Sequence, residues 1–410
     1  MAIKQSQSVK DYTDRANYVF WTPDSSFNSQ SYSVNIAAKW NAGKSDIEGI
    51  VLYYSWNKAA KQQDILSFEL KDLALYQNGS LTDVLKLCLD FFTEMRDNVN
   101  LDQNYWKNAF EQKKTLLNIK ASLTSNFNLI LTGAPGTGKT FLAKNIAADI
   151  IGCNMNALNT NNQYGFVQFH PSYDYTDFVE GLRPKQIGNQ IGFERQDGIF
   201  KAFCAKAAKE FRNAKEEGKK PKPFVFVIDE INRGEISKIF GELFYSIDHG
   251  YRGEKGIVDT QYHNLILTDN ESKAQDYPFK KGFYVPENVL VIGTMNDIDR
   301  SVESMDFAFR RRFVFYEVSA KQTQESILFA CPFKDVAIKK MDTLNALIVR
   351  DGFSPAYHIG ASYFQRIKEY NGDFDKLWQL HLRGLLFEYL RGLPDAESVL
   401  KRWEDEYKNA

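Results

Sequence analysis

At 410 residues the chain has room for two or three domains, and 43% apolar residues are ample for their cores. Lys and Arg (51) balance Asp and Glu (52), which excludes a globally basic nucleic-acid binder and an acidic tail. Cys88, Cys153, Cys204 and Cys331 form no C-x-x-C pair, so a zinc site and a disulfide framework are both disfavoured and a reducing, cytoplasmic setting is expected. The N-terminal "MAIKQSQSVKDY" lacks the apolar core of a secretion signal. No apolar stretch approaches the roughly 20 residues that span a bilayer, so no membrane partner is expected.

Residues 1–104 are dense in aromatics and read as a small α+β domain. "SYSVNIAAKW" (31–40), "IEGIVLYYSW" (47–56) and "DILSFELKDL" (64–73) predict strands. "LTDVLKLCLDFFTEMR" (81–96) places Val84, Leu85, Cys88, Phe91, Phe92 and Met95 on one helical face. "RDNVNLDQN" (96–104) reads as a linker.

Residues 105–318 alternate strand and helix, the signature of an α/β domain with a parallel sheet. "NLILTG" (128–133), "FVFVIDE" (224–230) and "VLVIGTMN" (289–296) are apolar enough to be buried on both faces. "EISKIFGELFYSIDHG" (235–250) predicts one helix with Ile236, Ile239, Phe240, Leu243, Phe244 and Ile247 as its apolar stripe. Residues 251–288, with Gly253, Gly256, Gly282 and polar clusters, read as an exposed hairpin or loop. Residues 319–410 read as a helical lid.

"GAPGTGKT" matches G-x-x-x-x-G-K-[ST] in full, after an apolar strand and before the helical "FLAKNIAADII". Gly133, Ala134, Pro135, Gly136, Thr137, Gly138, Lys139, Thr140 and Phe141 are therefore the candidate nucleotide-binding residues. Glycines let backbone N–H groups turn inward on phosphate oxygens, and a helix N-terminus adds partial positive charge. Lys139 would reach the β- and γ-phosphates; the Thr140 hydroxyl and Asp229, at the end of a buried strand, would hold Mg²⁺. Glu230 is the candidate base for the attacking water. Asn296 ends a third buried strand on the same sheet edge and is placed to orient that water. Arg310, Arg311 and Arg312 lie beyond a short helical segment that carries them off that edge, so a neighbouring subunit's nucleotide is the better target. An arginine supplied in trans is worth roughly 10³–10⁵-fold in rate, on the order of 4–7 kcal/mol. This predicts a ring in which each subunit completes its neighbour's site.

This set is the AAA+ pattern, and the chain resembles the McrB family, the nucleotide-hydrolysing motors of modification-dependent restriction and defence systems. The resemblance rests on "VQFHPSYDYTDFVEGLRP" (167–184), "GFERQDGIFKAFC" (192–204), "IDEINRGEISKIFGEL" (228–243), "FYVPENVLVIGTMNDIDRS" (283–301) and "AYHIGASYF" (356–364), and covers about 105–365. It implies an AAA+ domain preceded by a target-recognition domain, a homo-hexamer, DNA translocation and a GTP preference. It also implies a McrC-like endonuclease subunit that stimulates hydrolysis through Asn296, Asp299 and Arg300, and favours Arg311 and Arg312 as fingers with Arg310 bracing the fold. The chain departs from the family at Asp297 and Ile298, where M-N-T-A-D-R-S is usual, and at Ala361, where His is usual.

No N-K-x-D motif reads guanine, so ATP stays open beside GTP, as does an ATP-driven MoxR-like remodeller of proteins. No D…E-x-K constellation stands out, so no nuclease is expected in this chain. His170 and His358 read as packed histidines or as parts of the ring and nucleotide pocket. Residues 1–104 carry 10 Lys and Arg against 13 Asp and Glu. That balance does not favour DNA, and aromatics in a small domain more often form its core, although Trp21, Trp40 and Trp56 would also suit stacking on a flipped, modified base.

Overall fold

The computed structural model describes residues 103–187, 190–266, 277–298 and 307–410, together with four strands nearer the N-terminus. The chain divides into two compact units, 1–122 and 123–410. In the first, β1 (Tyr18–Trp21), β2 (Tyr32–Trp40), β3 (Ile47–Trp56) and β4 (Gln62–Glu69) form an antiparallel sheet in chain order. The predicted strands at 31–40, 47–56 and 64–73 fall on β2, β3 and β4, and β1 is an addition. The helix expected over 81–96 lies outside the described residues. Helix α1 (Gln103–Asn126) crosses the boundary between the units.

The second unit is built on a five-stranded parallel sheet. β5 (Asn128–Thr132), β6 (Tyr164–Gln168), β9 (Phe224–Asp229), β10 (Val289–Thr294) and β11 (Val314–Glu317) lie in the order β11–β5–β10–β9–β6. The three central strands are the apolar runs read from the sequence, and they are buried almost throughout. Helices α2 (Lys139–Ile151) and α3 (Ile199–Glu216) serve the sheet's crossovers. Residues 320–409 form a series of helices joined by turns, with α4 (Lys334–Arg350) and α5 (Ala396–Asn409) the longest elements. They share a core of their own around Leu344, Ile348, Trp378, Leu382, Trp403 and Tyr407.

Two sequence expectations are corrected. The helix over 235–250 is two short pieces, Ile236–Phe240 and Leu243–Ser246, followed by a 3₁₀ turn. It breaks at Gly241 (φ 47°, ψ −127°), where a Cβ would press on the Tyr175 ring at 3.1 Å. Tyr175 in turn donates its hydroxyl hydrogen to Glu242. The apolar stripe survives the break: Ile239, Phe240, Leu243 and Ile247 are fully buried. In the stretch 251–288, the described residues 251–266 and 277–288 are not an exposed hairpin or loop but pack into the domain. Arg252, Thr260, Phe279, Phe283 and Val285 are buried, and an antiparallel bridge joins Val258 to Phe283. Arg252 donates to the backbone oxygens of Ile247 and Val289 and to Asn128 Oδ1. Burial lowers its guanidinium to about 9.

A hairpin, β7 (Glu180–Ile187) and β8 (Gln190–Asp197), is anchored by buried charge. Glu180 and Lys201, both fully buried, meet at 2.6 Å, and Arg195 reaches the same carboxylate at 3.1 Å. Lys201 also donates to Thr260 Oγ1, and the Tyr262 N–H to Glu180 Oε1. Burial works to raise the Glu180 pKa, but the Lys201 ammonium together with hydrogen bonds from Thr260 and Tyr262 outweighs it and holds the carboxyl below its ordinary range. Lys201→Ala leaves that carboxylate undercompensated and is expected to cost about 3–5 kcal/mol in urea denaturation. A loss below about 1 kcal/mol, the scale of an exposed pair, would show that the network does not hold the hairpin.

Candidate nucleotide-binding site

β5 ends at Thr132 and the chain turns through Gly133 (φ 140°), Gly136 (φ 75°) and Gly138 (φ 82°), backbone angles that side chains resist. Gly138 caps α2, whose first residues are Lys139 and Thr140. Thr137 is buried and donates to the Ala134 carbonyl at 3.0 Å. The Lys139 ammonium, 7% exposed, donates to the carbonyls of Gly133 (3.0 Å) and Ala134 (2.8 Å). Phe141, by contrast, is 62% exposed.

The lid closes on this loop. Gly360 N–H donates to Pro135 O and Ser362 N–H to Gly136 O, each at 3.0 Å. Contact is so close that a Cβ on Gly360 would stand 2.1 Å from the Gly136 carbonyl carbon. Ala361, where the resembled family has His, is fully buried at the start of the helix Ala361–Gln365.

Parallel register brings the other groups to the same edge. Asp229 Oδ1 accepts from Thr140 Oγ1 at 2.7 Å and from Thr294 Oγ1 at 2.6 Å. The next residue, Glu230, is left-handed (φ 52°, ψ 45°), a strained choice for a non-glycine that costs about 1–3 kcal/mol. Its N–H donates to Thr294 Oγ1 at 3.2 Å. The bend turns its carboxylate onto Asn296, whose Nδ2 donates to both oxygens, at 2.9 and 3.2 Å. Arg233 Nε reaches the same carboxylate at 3.3 Å. Lys139, Thr140, Asp229, Glu230 and Asn296 thus belong to one constellation. Thr294 and Arg233 join it unforeseen. The only sequence signal for Thr294 is a hydroxyl two residues before Asn296 on an otherwise apolar strand, hence on the same face.

Asp297 also borders the loop: its N–H donates to Gly133 O at 3.3 Å. Burial raises its carboxyl pKa, opposed by nearby Lys139. Ile298 packs on the lid core. Asp299 and Arg300 lie outside the described residues. Arg311 is exposed. Arg312, its side chain 10% exposed, faces Asp248 at 3.6 Å, donates to Ala308 O and lies over the Phe244 ring at 5.7 Å. Arg310 lies over Phe315 at 5.2 Å. His170 is exposed, edge-on to Tyr173. His358 is half-buried, burial lowers its pKa, and its Nε2 has no hydrogen-bond partner among the described residues.

The residues fit Mg²⁺ and a nucleoside triphosphate. Thr140 and Asp229 supply an oxygen-only donor set, which Mg²⁺ takes together with phosphate oxygens and water. The positive-φ glycines and the 13-residue helix behind them form an anion cradle.

This is an AAA+ P-loop NTPase domain. Residues 128–313 match the family described as AAA domain (dynein-related subfamily). The chain is McrB-like: it is 38% identical over 264 residues to the Type IV methyl-directed restriction enzyme EcoKMcrB subunit of Escherichia coli (strain K12), a match covering 62% of this chain and 51% of that protein. It is also 26% identical over 237 residues to the Type II restriction enzyme BsuMI component YdiS of Bacillus subtilis (strain 168), covering 53% of this chain and 65% of that one. The chain therefore spans between half and two thirds of these curated relatives. Among the described residues no helix is long and apolar enough to cross a membrane.

Gly360 is compatible in φ with alanine but not in space. Gly360→Ala is expected to push the cradle and weaken nucleotide binding at least about tenfold, an effect of 1.4 kcal/mol, in an equilibrium titration. Unchanged affinity would mean that the lid contact does not shape the loop.

Proposed function

We propose that this chain is the AAA+ motor of a restriction complex, hydrolysing GTP in a homo-hexameric ring to drive DNA translocation for a separate McrC-like nuclease subunit. ATP is the alternative fuel. The observation that carries hydrolysis is the Glu230 carboxylate, turned out of line by a left-handed backbone and gripped through both oxygens by Asn296. Mere nucleotide sensing needs no such base beside a Mg²⁺ site.

In this reading the loop amides and Lys139 would bind the triphosphate, and Thr140 and Asp229 would hold Mg²⁺. The ion would neutralise charge on the β- and γ-phosphate oxygens. Glu230 takes the proton of the attacking water, which Asn296 orients. Arg311 or Arg312 of a neighbouring subunit stabilises the transition state. Asp299 and Arg300 would relay stimulation from the nuclease subunit to Asn296. Residues 1–104 form the target-recognition domain, for DNA with or without a modification, residues 105–318 the motor and 319–410 its lid. What supports the restriction role is the likeness to two restriction-system components.

Side-by-side turnover of GTP and ATP by the purified chain tests the reading, and absence of both activities, alone and with a McrC-like partner, would sink it. Glu230→Gln should keep nucleotide affinity and lose roughly 10²–10⁴-fold in turnover, the usual worth of general-base catalysis. Arg311→Ala should bind nucleotide and fail to hydrolyse it. Mixed with Glu230→Gln subunits it should regain activity if sites are shared between subunits; a mixture as dead as its parts counts against an arginine acting in trans.

A further inference from the structure

We propose that Thr294 is a positioning residue that couples the Mg²⁺-holding carboxylate to the catalytic base. This deepens the NTPase reading above and rests on it.

Thr294 is the last residue of β10 and is 2% exposed. Its hydroxyl has one hydrogen, and its neighbours fix where that hydrogen goes. The Glu230 N–H can only donate, so the Thr294 oxygen accepts it, at 3.2 Å. The Asp229 carboxylate can only accept, so the Thr294 hydrogen points at Oδ1, at 2.6 Å. One hydroxyl thereby holds two consecutive residues with different duties. It fixes the rotamer of Asp229, whose Oδ1 also takes the Thr140 hydroxyl at 2.7 Å. It also satisfies the backbone N–H of Glu230 at the bend that aims the carboxylate toward Asn296.

Asn296 grips the Glu230 side chain, and Thr140 orients Asp229 from the first turn of α2. β10 pairs with β9 through Gly293 and Ile228, so the hydroxyl is delivered by register from the strand that also carries Asn296. Any shift of that strand end moves the metal ligand and the base together.

The test uses the full chain and three substitutions: Thr294→Val, which keeps the shape and removes the hydroxyl, Thr294→Ser, which keeps the hydroxyl, and Thr294→Ala. Binding of fluorescent mant-GTP and mant-ATP is titrated with Mg²⁺ and separately in EDTA. Thr294→Val should bind the nucleotide in EDTA as wild type does. It should need roughly 10–100-fold more Mg²⁺ for half-maximal effect, the scale of a lost hydrogen bond to a charged group. Its turnover at saturating Mg²⁺ should also drop by at least about tenfold, since the backbone N–H at the bend that aims the base loses the Thr294 oxygen, and Thr294→Ser should restore both. Should Thr294→Val fail to fold, Thr294→Ala compared with Thr294→Ser gives the same contrast. A wild-type Mg²⁺ midpoint and turnover without the hydroxyl overturn the inference. A wild-type chain that binds neither nucleotide overturns the NTPase reading itself, which is a separate result.

Discussion

One oxygen atom organises this site. Asp229 Oδ1 takes hydroxyl hydrogens from the first turn of α2 and from the end of β10, elements that meet only because β5, β10 and β9 stop at one edge. Their registers are continuous: Val291 lies opposite Asn128 on one side and Phe226 on the other. Side chains alternate along a strand, so a slip of a single residue in β10 would turn Thr294 and Asn296 away from Asp229 and Glu230. The parallel pairing of β10 with β5 and β9 is therefore what fixes the chemistry, because its register sets which residues reach the shared edge.

The cradle depends on the lid in a similar way. Asn345, on α4, forms a reciprocal pair with Ile359, donating to its carbonyl at 3.1 Å and accepting its N–H at 2.7 Å. That pair sets the chain entering Gly360, which bonds Pro135, while Ser362 bonds Gly136. A side-chain amide in the lid core is thus connected through backbone bonds to the loop that holds phosphate. Substitutions far from the sheet edge can reach the nucleotide along this line of contacts.

The sequence was most informative where spacing is rigid. The cradle glycines, Lys139 and Thr140 are tied to one another by the turn they make, and Asp229, Glu230 and Asn296 sit at ends of strands that hydrophobicity alone delimits. It was silent where a role is assigned by a partner strand. Thr294 looks like any β-branched strand residue until Asp229 is placed beside it. The break at Gly241 was hidden because the apolar stripe keeps its helical spacing across it. Residues 251–288 misled through their glycines and polar residues: Gly256 is buried with its would-be Cβ 1.9 Å from the Tyr251 carbonyl oxygen, and the polar Arg252 and Thr260 are buried because Asn128 and Lys201 bind them. Composition cannot distinguish a solvated polar cluster from a satisfied one.

The arginine segment shows what such satisfaction costs a mobile role. Asn128 Nδ2 holds the Arg312 carbonyl at 2.9 Å, and the Arg312 side chain turns inward to Asp248 and the Phe244 ring. To reach a neighbouring subunit that guanidinium must first give up partners within its own chain. A part-exposed ion pair is worth at most about 1 kcal/mol and a cation–π contact about as much, so the move is affordable against the charge of a triphosphate. Arg311 starts from solvent and gives up less. The difference would set an order between the two arginines in the proposed ring: Arg311 would start free of an ion pair to Asp248, whereas Arg312 would first have to leave Asp248 and the Phe244 ring.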